Sequence, residues 1–146
     1  MHSPTSFHQP VPISAAAMVL PLASMSVQAG FPSPAEDECA QRLDLSARLI
    51  KHPQATHILG VSGNSMEGAG IFDRDLVLVD KALRARHMDI VVAVMDGEFT
   101  IKYFYNRNGS TRLKAANPTF PDIIPRDGQL IQVWGVVICC IKQFIK

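Results

Sequence analysis

From residue 56 onward, short apolar stretches alternate with polar positions and turn residues, a pattern of strands rather than helices. THILGVS (56–62) predicts a strand, followed by the turn-rich GNSMEGAG, and LVLV (76–79) predicts another, entered through Asp73-Arg74-Asp75. DIVVAV (89–94) and EFTIKYFY (98–105) flank Asp96-Gly97, the strongest hairpin signal in the chain. The type I′ hairpin turn that Asp-Gly favours needs left-handed backbone at both central positions, which Asp and Gly tolerate. Asn108-Gly109 repeats the signal and leads into TRLKAA. Beyond Pro118–Pro125 and the turn at Asp127-Gly128, QLIQVWGVVICCIKQFI is the last and longest β-rich stretch, with Trp134 as a packing residue.

Upstream the spacing changes. In ECAQRLDLSARLIKH (38–52), Leu43, Ala47 and Ile50 recur at helical intervals with Leu45 and Leu49 beside them. One amphipathic helix or two short turns is predicted, ending at His52-Pro53. Phe31-Pro32-Ser33-Pro34 predicts a stiff extended or turn segment, because each proline fixes its own φ and restricts the residue before it. The expectation is a mainly β domain of about seven or eight strands closed by hairpins, as two facing sheets or one coiled, barrel-like sheet. No alternating βα series, phosphate loop or dinucleotide fingerprint occurs, and GVSGNSMEGAG lacks the Lys-Ser/Thr ending that a phosphate loop requires.

Composition sharpens the picture at one end of the chain. The whole has 146 residues, 47% apolar and 18% charged, which suits one ordinary domain. Its net charge of +1 speaks against binding nucleic acid through an overall charge field. All 14 basic and 13 acidic side chains lie beyond residue 29, and four prolines and five serines interrupt residues 1–29. That segment reads as a flexible arm ahead of a domain spanning 30–146. Ile13–Leu22 and Val27-Gln28-Ala29 before Gly30 have features of an export signal, but no Lys or Arg precedes them and Pro21 interrupts the apolar stretch. The stretch is too short and broken to span a bilayer. Cys39, Cys139 and Cys140 are odd in number, and neighbours on a strand point to opposite faces, so no internal disulfide framework is implied. No cysteine or histidine has metal-ligand spacing. Reduced thiols in a cytoplasmic protein, one or two of them buried, are the expectation.

Two residues stand apart from packing. Ser65 lies in the turn GNSM, next to consecutive amides that a tight glycine turn can expose. Lys102 is the single cation in EFTIKYFY, sharing a face with Thr100 and Phe104 by alternation. Residue types alone leave two readings open. In one, Ser65 caps a turn and Lys102 snorkels from an edge strand. In the other, Ser65 is a nucleophile and Lys102 its general base. A serine hydroxyl needs a base, and lysine serves only when neutral, which burial favours by lowering its pKa from about 10.4 toward about 7–8. The Asn64 and Ser65 amides would then face the developing oxyanion. His52, His57 and His87 read as surface or turn histidines.

Beyond these residues, AGFPSP (29–34), QRLDLSARLIKHPQATH (41–57), SGNSMEGAGIFDRDLVLVD (62–80), DIVVAVMDGEFTIK (89–102) and VWGVVICCIK (133–142) follow one another in a familiar order. Together they resemble the UmuD-like accessory subunits of error-prone DNA polymerase V, plasmid-borne members especially, and more widely the LexA-type self-cleaving serine peptidases. The resemblance implies a LexA/signal-peptidase-like coiled β-sheet domain with Ser65 as nucleophile, Lys102 as general base and Ala29-Gly30 as the bond cut. It implies no cofactor and no metal. It also implies a homodimer, stimulation by RecA filaments on single-stranded DNA, and a Y-family polymerase partner in SOS mutagenesis, without direct sequence-specific DNA binding or membrane attachment. The arm upstream of Ala29 departs from a typical family arm in its prolines and lack of charge. A non-catalytic adaptor, a LexA-like repressor and a membrane signal peptidase are the alternatives. The repressor needs an N-terminal DNA-binding domain, and the signal peptidase needs a spanning helix.

Overall fold

Both Asp-Gly and Asn-Gly turns form as expected. Asp96 and Gly97 take φ values of 52° and 79°, and Asn108 and Gly109 take 53° and 73°. Left-handed backbone at both positions matches the right-handed twist of the flanking strands and fixes their register. The computed structural model describes residues 16–24, 26–32 and 41–145. Its elements are β1 (Val19–Leu22), β2 (Gln41–Asp44), α1 (Leu45–Leu49), β3 (Thr56–Gly60), β4 (Leu76–Asp80), β5 (Ile90–Met95), β6 (Glu98–Arg107), β7 (Ser110–Lys114) and β8 (Gln132–Ile141). Single 3₁₀ turns lie at Pro53–Ala55 and Glu67–Ala69. The chain is thus mainly β, as its alternation predicts. β1 and β2 form a small sheet, and the other six strands form one antiparallel sheet ordered β3-β4-β8-β5-β6-β7.

The large sheet is apolar through its middle. On β5, Val92 packs into a cluster with Val61, Met66, Ile71, Val77 and Val79, while Val91 and Ala93 join Leu113 and Val136 in a second cluster. Successive side chains of a strand point to opposite faces, so β5 is covered on both. Each such buried aliphatic side chain contributes roughly 1.5–3 kcal/mol relative to exposure. Register slips between Leu78 and Val79 on β4 and between Val92 and Ala93 on β5, in both cases opposite β8. Gly135 of β8 sits there: a Cβ on it would come within 2.5 Å of Val79 Cγ1 and 3.3 Å of the Asp80 carbonyl oxygen. Irregularities of this kind raise local twist and coil the sheet.

The segment 38–52 departs from the single-helix expectation. Residues 38–40 lie outside the described residues, Gln41–Asp44 is strand, and the helix is only Leu45–Leu49. Asp44 explains the break. Its Oδ1 accepts from the Ala47 N–H at 3.2 Å, the N-cap bond that starts a helix at residue 45, and also from the Met18 N–H at 3.2 Å. Leu43 and Leu20 are paired instead across the β1–β2 ladder, where Pro21 faces Arg42. Proline is tolerated in such an edge strand. The ladder joins residues on both sides of Ala29-Gly30.

Cys139 and Cys140 are free and half-buried on β8, and Cys39 lies outside the described residues. Among the described residues no helix is long and apolar enough to cross a membrane.

Candidate functional site

The loop between β3 and β4 is held at both ends and in its middle. Val61 N–H donates to the Asp75 carbonyl and Arg74 N–H to the Val61 carbonyl, each at 2.8 Å, closing the loop at its base. Met66, 1% exposed, is the apolar anchor inside it. The stretch after β7 then fixes the neighbouring residue: Ala116 N–H donates to the Ser65 carbonyl at 2.8 Å, and Gly68 N–H donates to the Ala116 carbonyl at 2.6 Å. A Cβ at Gly68 would lie 2.4 Å from that same carbonyl oxygen, so the approach requires glycine. Asn117 Nδ2 donates to the Asn64 carbonyl at 3.0 Å. With both carbonyls tied away, Ser65 is left half-buried with its hydroxyl directed at β6.

Lys102 comes from the middle of β6, opposite Val91 of β5, and is 8% exposed. Its Nζ lies 2.8 Å from Ser65 Oγ, 2.9 Å from Thr100 Oγ1 and 3.1 Å from the Ile101 carbonyl oxygen. Among the described residues no carboxylate pairs with it. Burial therefore acts on the amine uncompensated and lowers its pKa from the ordinary lysine value. The three partners suit either protonation state. An ammonium donates to all three; a neutral amine donates to Thr100 and Ile101 and accepts from the Ser65 hydroxyl. Only one bond reverses direction when the proton leaves.

Beside the pair is a cleft of about 230 Å³, lined by Leu59, Val61, Val77, Val92, Phe99 and Ile101 together with Ser65, Thr100 and Lys102. Ala29 and Gly30 are not part of its lining; both are exposed, and a Cβ built on Gly30 meets nothing within 4 Å. None of the hydrogen bonds among the described residues uses the Asn64 or Ser65 N–H as donor. The structure thus brings Ser65 and Lys102 together, with Asn64 adjoining, and leaves Ala29-Gly30 outside the cleft.

The histidines pack elsewhere. His52 Nδ1 is 2.6 Å from the Asp80 carboxylate, and His87 meets the Tyr105 ring at 4.9 Å. His57 differs from the surface reading: it is 8% exposed, 5.4 Å from the Trp134 ring, with its Nδ1 buried and unpartnered. Burial and the nearby Lys81 charge lower its pKa. Ala116 and Asn117, which set the Ser65 backbone, carry no sequence signal beyond a turn. Thr100 was legible through its alternation with Lys102.

Comparison with known proteins places the chain in a family. Residues 21–138 match the Peptidase S24-like family. The chain is 41% identical to protein ImpA of Escherichia coli over 135 residues, 91% of each protein. It is 41% identical to protein MucA of Salmonella typhimurium over 119 residues, 81% of each. A more distant relative, LexA repressor 1 of Geobacter sulfurreducens, is 38% identical over 113 residues, 77% of this chain and 55% of that protein. With this match over most of its length, the chain belongs to the Peptidase S24-like family.

Proposed function

We propose that the chain is a self-cleaving serine peptidase in which Ser65 and Lys102 cut the Ala29-Gly30 bond, separating the arm 1–29 from the domain 30–146. The observation that carries the reading is the 2.8 Å contact between a hydroxyl and a buried amine that has no carboxylate partner among the described residues. Neutral Lys102 takes the Ser65 proton as Oγ attacks the Ala29 carbonyl. The Asn64 and Ser65 amides receive the oxyanion, where one donor is worth about 3 kcal/mol. Lys102 returns the proton to the Gly30 nitrogen as the C–N bond breaks. A water activated by the same amine then releases Ala29 from the serine ester. Small residues at the scissile bond fit a recessed site that admits only a thin, extended backbone.

Because Ala29 and Gly30 lie outside the cleft, cleavage needs the arm to dock, and the rate follows the population of the docked state. Once docked, enzyme and substrate share one molecule, which removes much of the entropic barrier. Following the UmuD-like relatives, RecA filaments on single-stranded DNA favour docking. The trimmed product serves, as a homodimer in the cytoplasm, as the accessory subunit of a Y-family translesion polymerase in SOS mutagenesis.

The test is incubation of purified full chain at mildly alkaline pH, with and without RecA filaments, read on denaturing gels because β1 and β2 pair across the bond to be cut. Wild type is expected to lose residues 1–29, while Ser65→Ala and Lys102→Ala stay intact. Full-length wild type persisting under every condition, filaments included, sinks the proposal and leaves the non-catalytic adaptor reading in its place.

A further inference from the structure

The near-neutral net charge conceals a local imbalance at one end of the β5–β6–β7 region. The loop KALRARH (81–87) is rich in cations, and its last part runs beside β6. Met88 N–H donates to the Phe104 carbonyl at 2.7 Å, Phe104 N–H to the Asp89 carbonyl at 2.8 Å, and Asn106 N–H to His87 Nδ1 at 3.1 Å. On the other edge of β6, β7 sets Arg112 directly opposite Tyr105. Tyr105 is therefore ringed: the Arg112 guanidinium lies 4.1 Å from its ring centre, Lys114 Nζ 5.6 Å, and the His87 ring meets it edge-on at 4.9 Å. Arg107, two residues beyond Tyr105 on the same strand, and Arg86, the residue before His87, are both exposed.

The carboxylates nearby are few. Asp122 is 3.4 Å from Arg112 Nε, and Asp89 Oδ2 accepts the Arg86 backbone N–H at 2.8 Å. Among the described residues Arg86, Arg107 and Lys114 make no ion pair. The acidic residues of the same strands, Asp96 and Glu98, are at the opposite hairpin.

We infer that this surface binds the backbone of single-stranded nucleic acid without sequence preference. Unpaired cations match a polyanion of regularly spaced charge, and the Tyr105–Arg112 stack adds what an acidic peptide would not use. Its guanidinium plane, on a side chain 32% exposed, offers a π-face on which any base can stack. The net charge does not forbid this, since binding of this kind depends on local charge density. The site is separate from the Ser65–Lys102 cleft, shares no residue with its lining, and stands or falls independently of self-cleavage.

The test uses the full chain and a fluorescein-labelled oligothymidylate of about 20 nucleotides, followed by anisotropy between about 50 and 200 mM salt. Three engaged cations predict a log–log salt slope of about −2, from about −0.7 per phosphate contact. Arg86→Ala with Arg107→Ala, both at exposed positions, should weaken binding about tenfold and flatten the slope by about 1.4. Tyr105→Leu should weaken it about tenfold with the slope unchanged, since stacking releases no counterions. Should that variant fail to fold, the arginine pair still decides the matter. An exposed cation elsewhere, Lys51→Ala, should have no effect. Absence of binding at the lowest salt, or indifference to the arginine pair, overturns the inference. So does a labelled polyglutamate peptide that binds as tightly and displaces the oligonucleotide, because that outcome marks a site for acidic protein.

Discussion

Replacing Thr100 by Val tests whether the geometry around Lys102 is a working arrangement or only a way to satisfy a buried amine. The change removes one hydroxyl at nearly constant volume, and with it one of the three acceptors around Nζ, at 2.9 Å. A hydrogen bond from a charged donor contributes about 1.5–3 kcal/mol, and one from a neutral donor about 0.5–1.5 kcal/mol. Its loss therefore hurts the ammonium more than the amine, by about 1 kcal/mol, or about 0.7 pKa units. The Lys102 pKa, already lowered by burial, falls further. In the proposed mechanism cleavage requires the neutral base, so its rate should rise with pH through that pKa and then level off. Thr100→Val should move the rising limb about 0.7 units toward acid. It should also lower the plateau about fivefold, because the neutral amine is held less firmly. The assay is the first-order rate of conversion of full chain to the 30–146 product on denaturing gels across a pH series. Thr100→Ser should restore both features. A lowered plateau with an unmoved limb, or a limb shifted toward alkali, refutes the assigned role of Thr100.

Other consequences are equally direct. Gly68→Ala pushes a Cβ against the Ala116 carbonyl, 2.4 Å away, and Ala116 also holds the Ser65 backbone; cleavage should fall at least about tenfold and Tm by about 5–10 °C, for about 1–3 kcal/mol of overpacking. His57 has a lowered folded pKa, so its contribution to stability is whole above the unfolded value of 6.5 and is lost as pH falls toward the folded one. Urea midpoints followed by Trp134 fluorescence should decline over that acid window in wild type and less so in His57→Phe. Gln28→Asp places a carboxylate next to the scissile bond, which on docking would face the apolar side chains Leu59, Val61, Phe99 and Ile101 that line part of the cleft; cleavage should slow about tenfold or more, at unchanged stability of the domain. Equal rates for Gln28→Asp and wild type would reject the idea that the arm is uncharged in order to cross that cleft.

Local chemistry made most of the domain legible. The Asp96-Gly97 and Asn108-Gly109 turns adopt the left-handed backbone their residues favour, which suits the observed register of β5, β6 and β7. The same alternation put Thr100 and Lys102 on one face, and the family motifs joined Lys102 to Ser65. What sequence concealed was long-range. Leu43 looks helical beside Ala47 and Ile50, yet its partner is Leu20, on the far side of the proline-rich segment, and no periodicity announces such a pairing. Ala116 and Asn117 carry no chemical signature, because they act through a backbone amide and an amide side chain whose meaning depends on where the chain returns. His57 reads as a surface or turn histidine because nothing within THILGVS tells which face it takes; its environment comes from Trp134, which β8 carries.

A poised base also leaves a mark on stability, which separates it from a lysine that happens to lie under a loop. Lys102 is 8% exposed, has no counter-ion among the described residues, and has a pKa lowered by burial. Folding therefore costs free energy whenever the amine is charged in both states, below its folded pKa, and costs nothing once it is neutral in both, above the ordinary value of 10.5. Between those limits wild-type stability rises with pH. Lys102→Met keeps the length of the side chain and removes the charge, at the expense of the bonds to Ser65, Thr100 and Ile101. Because those lost bonds obscure the absolute difference, the readout is its pH dependence, measured by urea unfolding. The variant should gain on wild type as pH falls, levelling off below the folded pKa, and lose that advantage toward pH 10.5. A difference that stays constant with pH would mean that Lys102 is ordinary in the folded state, and the fold would then not hold it ready to accept the Ser65 proton.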